Sequence, residues 1–574
     1  VALHGLPKSQ TFLLAIICRG TDNHPFVNEF CGSILQVHPL SDTAFRNILQ
    51  MTWPDVCTIT SNVPGLGKTE VIRLRSHKKG KGVVTFHISG PLNKAKLVER
   101  LADLRVKSHH ILHIDIGNID NPIELDAFLF EIIILGFVSA GRSYVRLPTK
   151  QIFIEIANTI NNQLKDALQT AMSFKRENLL WQNYDNFIVS SDIHSPVQVV
   201  CQYLNALDDG TVDSRDIYFT GKKAASPLPV QKCRQLLQMY FPGTGDMSFN
   251  MARIFINVLA DQLKKMSCST FFRTQNLQAI LGKVQRITVK SNLLHALLST
   301  SSEFASRSVN NCREVQASTV KSDSESQFKS FEPSNDGNEN SLIKRVEGMI
   351  RWEDSNHLIF VFHNQDIQTL SAMYRDKSKI PIHIKNLFES QVKKVLPDFK
   401  LKTSSELQDV LQRVARTNPV SLSKTKLENM AKDYALTPDN LLKMVLIMMR
   451  IKAHIPVLIM GETGCGKTSL IRYLSQICEV SFKVVQIHAG LEEEYILERI
   501  QQISKEAETK LADPVWLFLD EINTCNYLGL ISDILCHHKC LGKPLSPNLI
   551  VMAACNPYKF RPEKKVLTAG LQGK

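Results

Sequence analysis

The sequence predicts an α/β chain with two parallel-sheet cores in tandem, each flanked by crossover helices, plus helical lid or insert regions and a disordered linker. Three observations predict it. From Asp55 onward short β-branched runs alternate with amphipathic stretches, as CTITS, KTEVIRLR, VVTFHIS, NKAKLVERLADLR, HILHIDIG and QIFIEIAN; strands that alternate with helical stretches form parallel sheets with the helices crossing over. The same order returns as VLIMG, TSLIRYLSQIC, FKVVQIHA, YILERIQQISKEAE, VWLFLDE and LIVMAACN. In each copy the first strand runs into a glycine-rich turn that ends Gly-Lys-Thr, at Lys68 and at Lys467.

These signals divide the chain into segments. Residues 1–50 are the end of a preceding module or a linker, and 51–165 the first core. Residues 166–300 read as a helical lid or insert, because 230–240 and 251–265 space their apolar positions as helices do. Residues 301–345 are rich in Ser, Asn, Glu and Lys and almost lack large apolar groups, a composition that predicts disorder. A lid remainder or connector follows over 346–435, and the second core over 436–574. Thr437 with Pro438 reads as the start of a helix, a hydroxyl cap followed by a residue whose fixed φ suits the first turn. The sequence opens on Val1 and is read as an internal segment of a longer chain.

Composition limits the function. The net charge of +13 comes from 68 basic and 55 acidic residues spread along the chain, so no nucleic-acid partner is expected. The longest apolar run, 127–140, contains Glu131 and is too short to span a bilayer. Thirteen cysteines without regular spacing point to a reducing, cytosolic setting rather than a disulfide framework. The cluster Cys536-His537-His538-Lys539-Cys540 matches no structural zinc spacing.

The chemistry is densest at Lys467. Gly461, Glu462, Thr463, Gly464, Cys465, Gly466, Lys467 and Thr468 satisfy G-x-x-x-x-G-K-[ST] between a strand and a helix, with Ser469 next in the helix. Glycines let the backbone wrap a polyphosphate, so that N–H groups and the positive helix end meet its charge. Lys467 then reaches the β- and γ-phosphates of ATP, and Thr468 holds Mg²⁺. An apolar strand, 515–519, ends in Asp520 and Glu521. Asp520 is assigned to Mg²⁺ and Glu521 to the attacking water. Asn556 ends the next strand and is assigned to sensing the γ-phosphate or water.

The earlier copy is eroded. Asn62 replaces the first glycine, while Pro64, Gly65, Leu66, Gly67, Lys68 and Thr69 remain as a phosphate cradle. Asp115 ends the corresponding strand and with Thr69 is assigned to Mg²⁺, but Ile116 stands where a glutamate would polarise water. Asn158 keeps the sensor-like position. This module is expected to hold ATP and hydrolyse it poorly.

The order of glycine-rich loop, Asp-Glu strand and strand ending in asparagine resembles the AAA+ ATPases. More narrowly, GETGCGKT, DEINTCNYLGL and AACNPYKFR, preceded by PGLGKTE, resemble the mysterin family of giant, dynein-like AAA+ ubiquitin ligases with a RING finger. That resemblance implies tandem AAA+ modules that pack against neighbouring modules of one polypeptide, and a parent that engages the ubiquitin machinery, cytosolic with lipid-droplet association. The chain has no RING-type Cys/His array, so ubiquitin transfer is expected of the parent alone. Two other readings follow from the same motifs: a remodeller of the midasin or dynein type without ligase activity, and a scaffold that binds nucleotide without hydrolysing it.

Overall fold

The computed structural model describes residues 41–61, 65–119, 121–141, 143–157, 167–181, 184–186, 189–242, 247–285, 288–324, 355–362, 370–416, 422–509 and 514–556. In the first core lie β1 (Val56–Ser61), β2 (Val83–Gly90), β3 (Ile111–Ile119), the antiparallel hairpin of β4 (Phe137–Ala140) and β5 (Ser143–Arg146), β6 (Ile152–Ile156) and β7 (Lys175–Leu179). The main sheet has the order β2-β3-β6-β1-β7, with every pair parallel. All five residues of β6 are buried, as expected of a central parallel strand covered on both faces. The helix Lys68–Lys78 buries Val71 and Ile72 on the face that carries Ile59, Ile111 and Phe153. The helix Lys94–Asp103, capped by Asn93 Oδ1 accepting from the Lys96 N–H at 3.2 Å, buries Leu97, Val98 and Leu101 on the other face with Ile114 and Ile154. Because β7 closes the sheet, this core reaches past the boundary at 165 that the sequence suggests.

The lid packs helices Pro196–Asp208, Val230–Tyr240, Phe249–Cys268 and Val289–Ser324 around Phe241 and Phe255, whose rings stack at 4.0 Å. The last helix enters the segment 301–345 that composition marks as disordered; its backbone there is helical to Ser324. A helix satisfies its own backbone hydrogen bonds without an apolar face, and composition does not register that. The rest of that segment lies outside the described residues. A hairpin of β8 (Ile359–Phe362) and β9 (Leu370–Met373) and the helices Ser404–Ala415 and Pro438–Lys452 share the lid's core, which continues without a break to Leu470, Ile471, Trp516 and Phe518 of the second module. Lid and second module are thus one packed body.

The second core holds β10 (Val457–Met460), β11 (Ser481–Gln486), β12 (Val515–Asp520), a small hairpin of β13 (Lys539–Cys540) and β14 (Lys543–Pro544), and β15 (Leu549–Cys555). Its sheet runs β10-β15-β12-β11, all parallel. In both sheets the first strand lies beside the fourth, the fourth beside the third and the third beside the second, so the tandem repeat read in the sequence is a repeat of topology. Among the described residues no helix is long and apolar enough to cross a membrane.

Candidate nucleotide sites

In the second module the loop from Gly461 to Gly466 leaves β10 and starts the helix Lys467–Cys478. Gly466 is the N-cap at φ 81°, a conformation glycine adopts without a Cβ penalty. Gly461 serves differently: a Cβ there would stand 2.7 Å from Cys465 Sγ. Glu462, Thr463, Gly464, Cys465 and Ser469 are exposed, and within the turn the Cys465 N–H donates to Glu462 O at 3.3 Å. Lys467 Nζ donates to Gly461 O at 2.8 Å, Glu462 O at 3.0 Å and Asn556 Oδ1 at 2.8 Å. Thr468 Oγ1 donates to Asp520 Oδ2 at 2.5 Å. Residues assigned separately to phosphate, metal and sensing therefore meet at one end of the sheet.

Neighbouring strand tips make this possible. Parallel pairing sets Met460 beside Cys555 and Leu519 beside Ala553, which brings Asn556 and Asp520, at the tips of the two strands next to β10, to the loop's end of the sheet. Glu521, one residue past the strand, sits exposed at φ 60°, and its N–H donates to Asp520 Oδ1 at 3.0 Å. A left-handed non-glycine at such a place is the kind of local strain found at functional sites. The Asn556 N–H donates to Asn523 Oδ1 at 3.0 Å, tying the sensor strand to the turn after Glu521.

The first module keeps the cradle and changes what surrounds it. Gly67 caps its helix at φ 81°, Gly65 has φ 75°, and Leu66 and Lys68 are buried. Here the lid sits on the loop: the Asn250 N–H donates to Gly65 O at 3.0 Å, and a Cβ on Gly67 would stand 2.6 Å from Phe249 Cγ. The assigned pair of Thr69 and Asp115 is not joined as Thr468 and Asp520 are. Thr69 Oγ1 donates to Glu155 Oε2 at 2.9 Å, and His113 Nε2 lies 3.0 Å from the same oxygen. Asp115 Oδ2 lies 3.0 Å from His87 Nδ1. Glu155 has drawn the threonine away because the register puts it directly across from Asp115. Burial opposes charge on both Asp115 and His87, but their mutual hydrogen bond outweighs it, raising His87 above its usual range and bringing Asp115 down to about 2. Pro64 and Asn158 lie outside the described residues.

Sequence reasoning passed over His87, His113, Glu155, Phe249 and Asn250. A signal for two of them was present: Glu155 is the one acidic residue in the apolar run IFIEIA, and His113 stands two residues before Asp115, on the same strand face. In the Cys536–Cys540 cluster, His538 Nε2 lies 2.9 Å from Ser546 O and Cys540 is buried.

Comparison with known proteins agrees with this anatomy. The family described as the RNF213 AAA domain matches residues 434–559. The chain is 26% identical over 589 aligned positions, 89% of its length, to the zebrafish (Danio rerio) E3 ubiquitin-protein ligase rnf213-beta, of which it spans 11%. Over 24% of the chain it is 39% identical to human and 40% identical to mouse E3 ubiquitin-protein ligase RNF213, covering 3% of each. The chain thus spans about a tenth or less of the relatives it matches. With two cores of one topology, the chain is thus similar along most of its length to an RNF213, or mysterin, protein, and over 434–559 it carries the AAA domain described for that family.

Proposed function

We propose that this chain is the nucleotide-driven segment of a giant ubiquitin ligase, in which the module at Lys467 hydrolyses ATP and the module at Lys68 holds it with little turnover. The observation that carries the reading is the meeting of Lys467, Thr468, Asp520 and Asn556 at the strand tips, set against the diversion of Thr69 to Glu155 and of Asp115 to His87. When bound, ATP with Mg²⁺ supplies the phosphoanhydride bond and a cation that neutralises charge as it breaks.

The residues divide the remaining work. The loop's N–H groups and the start of the helix receive phosphate charge, and Lys467 is free to swing from carbonyl acceptors to phosphate oxygens. Thr468 and Asp520 already point at one another and would hold the metal between them. Glu521, exposed beside them, orients the attacking water and takes its proton; Asn556 fixes the water's place. In the first module Ile116 offers no such carboxylate, while Phe249 and Asn250 cover the loop, an arrangement suited to retaining ATP. Ubiquitin transfer, and the cytosolic and lipid-droplet setting, belong to the parent protein, and neighbouring AAA+ modules of the same polypeptide are the immediate partners.

Nucleotide content and turnover of the full-length protein separate the two roles. Lys68→Ala is expected to lose co-purifying nucleotide with turnover largely kept, and Lys467→Ala to lose turnover. A larger fall in turnover from Lys68→Ala than from Lys467→Ala would reverse the assignment.

A further inference from the structure

We propose that the first module contains a binding site for a divalent transition ion of the zinc class, formed by His113, Asp115 and Glu155. His113 Nε2 is 3.0 Å from Glu155 Oε2, and one ring nitrogen of His113 and one carboxylate oxygen from each acid lie within 4.8 Å of one another. Ligands at about 2.0–2.2 Å from a zinc-sized ion stand somewhat closer together than that, a gap that small side-chain rotations close. All three sit on paired strands: His113 and Asp115 share a face of β3, and Asp115 lies directly opposite Glu155 of β6. The backbone beneath the site is therefore fixed by the sheet.

The second module shows what this position holds when no such site is built. Two residues before Asp520 it has Phe518, and the register that pairs Leu519 with Ala553 puts Ala554 beside Asp520; both are fully buried. The first module has replaced both apolar groups with ligand-type side chains, although His113 is 1% and Glu155 8% exposed, and burying such groups is costly unless they are satisfied. An outer layer orients them. Thr85 Oγ1 lies 3.4 Å from His113 Nδ1, leaving Nε2 toward the acids; Thr69 holds Glu155 and His87 holds Asp115. Such outer partners are typical of metal-ligating histidines and carboxylates.

One imidazole nitrogen with two carboxylates favours zinc, manganese, iron(II) or cobalt over magnesium, which prefers oxygen and water in octahedral array. The site needs no nucleotide, so its test is independent of the hydrolysis experiments.

The experiment compares the full-length protein with a His113→Phe/Glu155→Ala variant, which installs the second module's own pair and so should pack. Both are stripped with chelator, titrated with Zn²⁺ without ATP in excess Mg²⁺, and assayed for bound metal; Co²⁺ is titrated in parallel for its visible spectrum. The wild type is expected to take up one more equivalent per chain than the variant, with the matching cobalt absorbance lost in the variant. Equal uptake by the two would overturn the proposal. If the double variant fails to fold, Glu155→Gln decides: at least a tenfold weaker Zn²⁺ affinity supports the site, and an unchanged affinity overturns it.

Discussion

A Cβ at Gly461 would stand 2.7 Å from Sγ of the exposed Cys465, which must shift to admit it; the first module carries Asn62 at the same place in its motif. Gly461→Asn is expected to weaken nucleotide binding at the second module by about 0.5–1.5 kcal/mol, the cost of pushing the Cys465 side chain off its rotamer, as read by titration with a fluorescent ATP analogue. An unchanged affinity would show that the loop absorbs the side chain. Residues of this kind were legible in the sequence because their meaning is local: Lys467, Thr468 and Asp520 follow from spacing along one chain. Glu155 and His113 were not, since what they do depends on the register between β3 and β6, and a register is a property of two strands.

Among the elements, starts and stops were the most legible. Thr437 caps its helix as expected, its hydroxyl accepting from the Asn440 N–H at 3.2 Å with Pro438 in the first turn. The helix Pro122–Leu129 continues as a π-helix, Phe130–Leu135, a widening that apolar periodicity does not encode. The lid's helices were visible as periodic stretches, but the polar joint among them was not. Asp216 accepts from Lys290 Nζ at 2.7 Å and from Thr274 Oγ1 at 2.9 Å. Burial favours its neutral form, but Lys290 and Thr274 more than offset this and hold its carboxyl below the usual range. A carboxyl held low contributes stability above its unfolded pKa and loses it as pH falls through the folded value. The Asp216→Asn protein is therefore expected to be less stable near neutral pH and to lose less of its stability on acidification than the wild type. Urea midpoints between pH 7 and pH 3 read this, and parallel pH profiles for the two proteins would exclude the linkage.

Over the whole molecule, the second module rests the segment after its Asp-Glu pair on the first. Gly529 meets Ser89, where a Cβ would stand 2.2 Å from Oγ, and Gly542 meets Thr85 O at 2.8 Å by the same measure. Lys96 pairs with Glu494, and Asn257 Nδ2 donates to Ala453 O at 3.0 Å. Of these contacts, those at Ser89 and Thr85 cover β2, the edge strand of the first sheet, and an edge so covered is protected from pairing with other chains. They join residues hundreds of positions apart and have no local signature, so the tandem architecture was readable while its assembly was not. Ser89 also lies 3.0 Å from His87, which holds Asp115, so the segment that begins at Glu521 ends near the altered site of the first module. The division of labour between the modules is tested most directly by steady-state ATP hydrolysis of the full-length protein carrying Glu521→Gln. Loss of the group that activates water is expected to slow the turnover that depends on Lys467 by about 10²–10⁴-fold while nucleotide still binds. A rate equal to that of the wild type would contradict the account.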